Sequence, residues 1–549
     1  MGESDFERKS LAVSVEGAVA ELLTRPPAEM RVQTPGGRFQ VRWDEHGGAT
    51  AMGQLAFFAE FLDVSGLFDR WVAACPMTYT SPNAPTVRDV LGTWLLSILD
   101  GHRRYSHVSG LRGDVVAPQI LGMKRIISDE GLRRALAHLA PTLMKCPESE
   151  REGREAKLAA SAAWMDVALA ESTREALCAK WILDCDTTVK LLYGHQTGAE
   201  VGYNPKKPGR PSHAIHTYWM AQLRLVLDAE VQGGKAHGVS HGLPRLLSLL
   251  NGLSEEQRPY LVRGDNAFGV EPVMGALEAM GQGYLFKLRQ TTGVKRLIER
   301  MWQRQGWMEV GYGTEAAEAA LCLLGWKRAR RVVVLRRPLK ASVVVEHQGV
   351  DRQGRRQQTL AFADGMNPSK LWEYVVLVNN TDIDLVAIGQ LYRDRADCEN
   401  GFDELKNQWG WGGYTTQDRE RCNLSARAVA LIYNWWSWYV RLAHPKTRLE
   451  AVTSRPLLLS GVARLTQHAG QSRLLITLVH EADHWIKEMI ANVRAGLDIV
   501  VATAPQLTKP ERWRALVRYI IGKIIAARSR ISLAPAIEAS QAPPLIAVY

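Results

Sequence analysis

The run Trp181-Ile-Leu-Asp-Cys-Asp-Thr-Thr-Val189 constrains the fold more than any other feature of the chain, because it reads as a buried strand that carries two acids. Side chains alternate across a strand, so Asp184 and Asp186 share a face. A loop and a second strand lead to residues 223–231, which alternate as a third strand, and residues 243–250 have helical periodicity. Pro259-Tyr-Leu-Val-Arg-Gly-Asp-Asn-Ala267 then places Asp265 just past another short strand. Residues 273–280 are helical and 283–289 form a further strand. Strands with helices interposed predict an α/β core built around Asp186 and Asp265.

At 549 residues the chain exceeds one hydrophobic core, and length alone suggests three or four domains. Residues 1–84 are a small mixed region, with a strand pattern at 38–44 and an apolar segment at 55–71. Residues 85–178 are expected to be a helical DNA-binding domain. One helix runs from Thr86 to Gly101, and another, N-capped by Ser128, runs toward Leu139. The pair is similar to a helix-turn-helix element, with a plain helical bundle as the alternative, and Arg103, Arg104, Arg133 and Arg134 are its candidate DNA contacts. Residues 179–300 are the first part of the core, 301–380 a β-rich insertion with strands at 331–335, 342–346 and 359–362, and 381–445 the second part of the core. Residues 446–549 are expected to be all-helical, for dimerisation or DNA contact, with helices at 457–468, 476–493 and 510–527.

A formal charge of +11 and a pI near 9.3 favour polyanionic partners. Basic clusters at 102–104, 206–210, 327–331 and 352–356 are spread along the chain, which suits a long polyanion rather than one pocket. Lys206, Lys207 and Arg210 lie in a Pro- and Gly-rich loop after the first strand, read as a DNA-backbone contact or, alternatively, a structural turn. No apolar run approaches the ~18 residues of a membrane span, and the charged N-terminus is unlike a signal peptide, so a cytoplasmic, nucleoid-associated protein is expected. Seven cysteines without a Cys-x-x-Cys pair argue against a zinc ribbon or a disulfide framework.

Tyr392, Arg395, Glu399 and Lys406 are spaced by three, four and seven within one expected helix, 385–408, and so project from one face. A solvated ladder of charges is the ordinary alternative. Asp186, Asp265 and Glu399 make a carboxylate triad drawn from separate elements, a donor set that suits two Mg²⁺ ions, with Mn²⁺ as a substitute. Arg395 and Lys406 are placed to hold phosphates, with Tyr392 as a hydroxyl donor.

These four residues match the Tyr-x2-Arg-x3-Glu-x6-Lys signature, and the chain resembles the DDE transposases of bacterial insertion sequences. Asp186-Thr-Thr188 and Arg263-Gly-Asp-Asn-Ala267 look like that family's first-acid and second-acid segments, and the resemblance spans residues 85 to 440. It implies an RNase H-like core with a β-rich insertion before the third acid, and it favours Asp186 over Asp184 as first acid. It further implies a homodimer in a synaptic complex on double-stranded DNA, which cleaves at terminal inverted repeats and joins the ends to target DNA. Two other classes compete. One is a DNA-binding regulator without catalysis. The other is a zinc hydrolase using His480-Glu481-x-x-His484. No Gly-x4-Gly-Lys-[Ser/Thr] sequence is present, so ATP has no expected role.

Overall fold

Burial on both faces of Ile182–Leu191 makes this strand a sheet centre rather than an edge. The computed structural model describes most of residues 30–532; residues 340–346, 351–355, 360–371, 414–417 and 478–480 and a few single positions lie outside the description. Ile182–Leu191 pairs antiparallel with Pro211–Met220 and parallel with Leu261–Gly264, which pairs parallel with Tyr284–Lys287. Leu225–Gly233 lies antiparallel on the far side of Pro211–Met220.

The region 301–380 is β-rich, as its sequence suggests, but its main strands do not form a separate sheet. Trp372–Asn379, Arg330–Pro338, Glu315–Leu321 and Met308–Glu309 continue the central sheet outward from Tyr284–Lys287. The expected strand at 342–346 lies outside the described residues. Arg336 fastens this extension. Its guanidinium sits 3.9 Å from the Trp307 ring centroid and 4.6 Å from that of Trp372, and it pairs with Glu315 at 2.6 Å.

Arg419–Ala443 runs along the sheet with nearly its whole length buried. It covers the free edge of Leu225–Gly233, whose backbone groups would otherwise lack partners. Asn434 Nδ2 donates to the Val226 carbonyl at 2.8 Å while its Oδ1 accepts the Val226 N–H at 2.9 Å. Asn423 Oδ1 accepts the Val231 N–H at 2.8 Å. The spacings agree. Eleven residues of helix rise about 16.5 Å, and five residues of strand span about the same distance. The N-terminal helix Leu55–Ser65 and the C-terminal helices Asp483–Thr503 and Lys509–Ser532 pack together, and both C-terminal helices also touch Arg419–Ala443. Among the described residues no helix is long and apolar enough to cross a membrane.

Two expectations about the flanking regions need correction. The C-terminal part is not all-helical: Val462–His468 and Gln471–Thr477 form an antiparallel hairpin, and the first of these strands also pairs with Gly48–Thr50. Ala469 and Gly470 both take positive φ, 50° and 75°, the two-residue turn whose twist matches a hairpin. The helices in this region are Ala451–Leu458, Asp483–Thr503 and Lys509–Ser532, of which the last covers the expected 510–527. The long helix Glu148–Thr173 has no counterpart among the elements expected from sequence, because its first half is polar all round and its buried residues begin only at Ser161.

Replacing Asn434 with Leu leaves the Val226 N–H and carbonyl buried without partners, so a loss of about 2–5 kcal/mol is expected, read as a lower denaturant midpoint. A midpoint equal to that of the wild type would mean that this helix does not complete the edge strand.

Candidate active site

Three elements carry the acids to one end of the sheet. Asp186 lies on Ile182–Leu191 with its side chain 18% exposed. Asp265 follows Leu261–Gly264 directly, and its Oδ1 accepts the Ala267 N–H at 2.9 Å, which locks the turn. Gly264 is required there, since a Cβ would stand 2.8 Å from the Phe268 ring. Glu399 lies in the first turn of Ala396–Gln408 and is 65% exposed.

Arg395 lies between two of these acids. Its guanidinium reaches Asp186 at 3.2 Å and Glu399 at 3.3 Å. Burial pushes the Asp186 carboxyl up to about 6, with the Asp265 and Glu399 charges adding to the rise and Arg395 opposing it. Four charged groups therefore share one field. Among the described residues no three His, Cys, Asp or Glu side chains stand close enough together to hold a metal ion. The donor set itself fits a hard divalent cation, being all carboxylate oxygen drawn from three acids. In the present arrangement Arg395 provides the counter-charge.

The expected helix 385–408 is in fact two helices, Leu385–Arg393 and Ala396–Gln408. Between them the backbone makes three-residue hydrogen bonds, from Arg395 N–H to the Tyr392 carbonyl at 3.3 Å and from Cys398 N–H to the Arg395 carbonyl at 3.0 Å. This tighter winding shifts the phase, so the four signature residues no longer share one straight face. Tyr392 packs against the apolar cluster that includes Ile182, Leu261 and Ile388, and lines a cavity of about 230 Å³ with Tyr312 and Arg393. Lys406 is half-buried two turns beyond Glu399.

The second helix is seated on the sheet by contacts that sequence reading missed. Gly401 lies so close to Trp219 that a Cβ would fall 2.4 Å from the ring, Arg224 pairs with Asp397, and buried Glu404 pairs with Arg448 at 2.5 Å. Arg263 matters most. It donates to both oxygens of Asp184, at 2.6 and 2.7 Å, in a nearly solvent-free pair, and to the carbonyl of half-buried Leu391. Asp184 is thus taken up in a buried pair and is not open to a metal. The signal was present: Asp184 and Arg263 stand two residues before Asp186 and Asp265, on the same strand faces and directly across in the parallel register.

The other sequence candidates lie apart from the acids or serve the fold. Arg103 donates to the Asn407 carbonyl at the end of the Glu399 helix, and exposed Arg104 adjoins the short turn Tyr105–His107. Arg133 and Arg134 both bond Glu130 on their own exposed helix. Lys207 and Arg210 flank exposed Tyr193 at 5.5 and 5.0 Å; Lys206 lies outside the described residues. Most of the 327–331 cluster is consumed in pairs, Arg328 and Arg330 with Glu278 and Arg331 with Glu318. Trp409 and Trp411 are core residues. Of the zinc-hydrolase pattern, His484 lies on the helix Asp483–Thr503 and Glu481 precedes that helix, while His480 lies outside the described residues.

Asp184 and Asp186 are expected to differ in stability without metal. Asp184→Asn breaks a buried bidentate pair and should cost about 3–5 kcal/mol. Asp186 behaves oppositely: its raised native pKa means that the folded state holds the proton more tightly than the unfolded chain. That stabilisation is complete below about pH 4 and is lost as pH rises through about 6, by at most about 3 kcal/mol. In chelator, Asp186→Asn should therefore exceed the wild type in denaturant midpoint near neutral pH and match it near pH 4. Equal midpoints for the wild type and both variants at neutral pH would contradict both assignments.

Residues 178–435 match the family model described as the transposase DDE domain. No curated protein matches the chain. Among solved structures, the cryo-EM structure of the piggyBac transposase synaptic complex with hairpin DNA is similar over 88% of this chain and 88% of that one. Its identity is 12% and its TM-score 0.36, below the level of a shared fold, so that likeness carries no weight. The matched segment 178–435 contains Asp186, Asp265 and Glu399.

Proposed function

We propose that the chain is a cut-and-paste transposase of the bacterial insertion-sequence group, with Asp186, Asp265 and Glu399 as its catalytic acids. The observation that carries this reading is that Asp186 and Glu399, from separate elements, meet at Arg395 with Asp265 in the same electrostatic field, inside the segment that matches the transposase DDE domain. The strand order Leu225–Gly233, Pro211–Met220, Ile182–Leu191, Leu261–Gly264, Tyr284–Lys287, with only Pro211–Met220 reversed, supports an RNase H-like core.

Asp186, Asp265 and Glu399 would hold Mg²⁺. Bound there, two such ions supply activation of the attacking oxygen and stabilisation of the leaving one. Arg395 turns from the acids to the scissile phosphate, since a guanidinium forks onto phosphate oxygens as readily as onto carboxylates. Lys406 neutralises a neighbouring phosphate. In cleavage, water forms a new P–O bond as the bond to the 3′-oxygen breaks; in joining, that 3′-hydroxyl attacks a target phosphodiester. Each step exchanges one P–O bond for another, so no nucleotide hydrolysis is needed. The helical region 85–178 binds the terminal inverted repeats as duplex DNA, and two copies of the chain hold two ends.

Alanine at Asp186, Asp265 or Glu399 is expected to abolish Mg²⁺-dependent cleavage of end DNA while leaving end binding within a few-fold of wild type. Arg395→Ala should slow single-turnover cleavage by about 100-fold, the cost of misplacing a reacting phosphate by roughly 1 Å. Undiminished nicking by Asp265→Ala would remove the catalytic assignment. End binding with no cleavage by the wild-type protein would indicate a regulator instead.

A further inference from the structure

A cleft of about 1380 Å³ opens beside the acid cluster, lined at its near end by Asn266 and Ala267, which directly follow Asp265. It lies at the carboxyl ends of the parallel strands Leu261–Gly264 and Tyr284–Lys287, where open sheets habitually receive ligands. Its rim is cationic. Arg289 follows the second strand, and Arg296 and Arg300 stand one turn apart on Thr292–Trp302. All three are exposed, and among the described residues none forms an ion pair. Nearby Arg328, Arg330, Arg331, Arg336 and Arg337 are each matched to a glutamate. Of the acids on the same rim, Glu271 is already bound to Arg330, which leaves Glu299 as the opposing charge.

We propose that this cleft binds a single-stranded segment of nucleic acid adjoining the scissile phosphate, an inference that rests on the DNA-cleaving reading above. Its size exceeds the ~300–1,000 Å³ typical of small-molecule sites and suits a polymer. Its walls include Leu288, Leu323 and Trp326, and Leu324 is fully exposed beside them. A duplex turns phosphates outward and keeps its bases stacked inside, so it leaves such apolar walls wet. An unpaired strand lays bases on them while the arginines hold its phosphates. A strand end freed at Asp186, Asp265 and Glu399 needs only to continue past Asn266 to enter.

The test uses the full chain in chelator, so that no cleavage is required. Anisotropy is measured with a labelled single strand and with a blunt duplex of the same sequence, for the wild type and for Arg289→Ser, Arg296→Ser and Arg300→Ser combined. The variant should lose at least about tenfold in single-strand affinity and about two units of salt slope, at ~0.7 per phosphate contact. Duplex affinity should change less than twofold. Equal losses on both substrates would reassign the arginines to duplex backbone, and unchanged single-strand affinity would remove the cleft as a nucleic-acid site. Cys322, exposed in the lining, provides a second readout: a single strand bearing a pyridyl-disulfide tether should exchange with the Cys322 thiol, releasing pyridinethione and leaving a mixed disulfide, with the wild type and not with Cys322→Ser. Equal trapping by both would place the strand elsewhere. A protein that grips the strand here yet never cuts with Mg²⁺ loses the transposase reading and keeps the cleft, and the converse result loses the cleft alone.

Discussion

One buried guanidinium joins the three carriers of the acid cluster. Arg263 stands two residues before Asp265, grips Asp184 two residues before Asp186, and bonds the Leu391 carbonyl where the chain turns toward Arg395 and Glu399. A buried charge pair contributes little net stability, because desolvation offsets most of the attraction. What it contributes here is geometry. Asp184 and Arg263 each satisfy the other, so neither strand can slide without exposing a bare charge in the core.

Such a frame explains how like charges stay gathered. Asp186 is half-buried and sits in the field of Asp265 and Glu399, which together raise its proton affinity. Arg395 partly relieves that repulsion, and the cluster is held by the strands beneath it rather than by its own contacts. The basic charge of the chain divides in the same spirit. Arg330, Arg336, Arg427 and Arg448 are spent inside on glutamates and aspartates, whereas Arg289, Arg296 and Arg300 face solvent unpaired among the described residues.

The sequence disclosed the parts of this arrangement that depend on local order. Strand and helix periodicity located the elements around Asp186 and Asp265, and the capping residue Ser128 marked its helix. What escaped it was non-local or a change of winding. Pairing of Trp372–Asn379 with Tyr284–Lys287 joins segments more than eighty residues apart and turns an insertion into sheet. The break after Arg393 keeps helical-looking spacing while altering which residues face together. The hairpin at Val462–Thr477 turns on an Ala-Gly pair, a weaker signal than Asn-Gly or Asp-Gly. The role of Arg263 was legible in the sequence only once the parallel register of two strands was known.

The two asparagines that close the sheet edge bear on how the chain tolerates change in length. Asn423 and Asn434 meet Val231 and Val226 because eleven helical and five extended residues cover equal distances. Substitutions between them alter packing by degrees. A single inserted residue would rotate one asparagine by about 100° around the helix axis and carry it off its strand partner. Helix and strand lengths in this layer are therefore coupled as a vernier. Added length is best tolerated outside this layer, at turns such as the one at Ala469 and Gly470, which lie away from the measured interval.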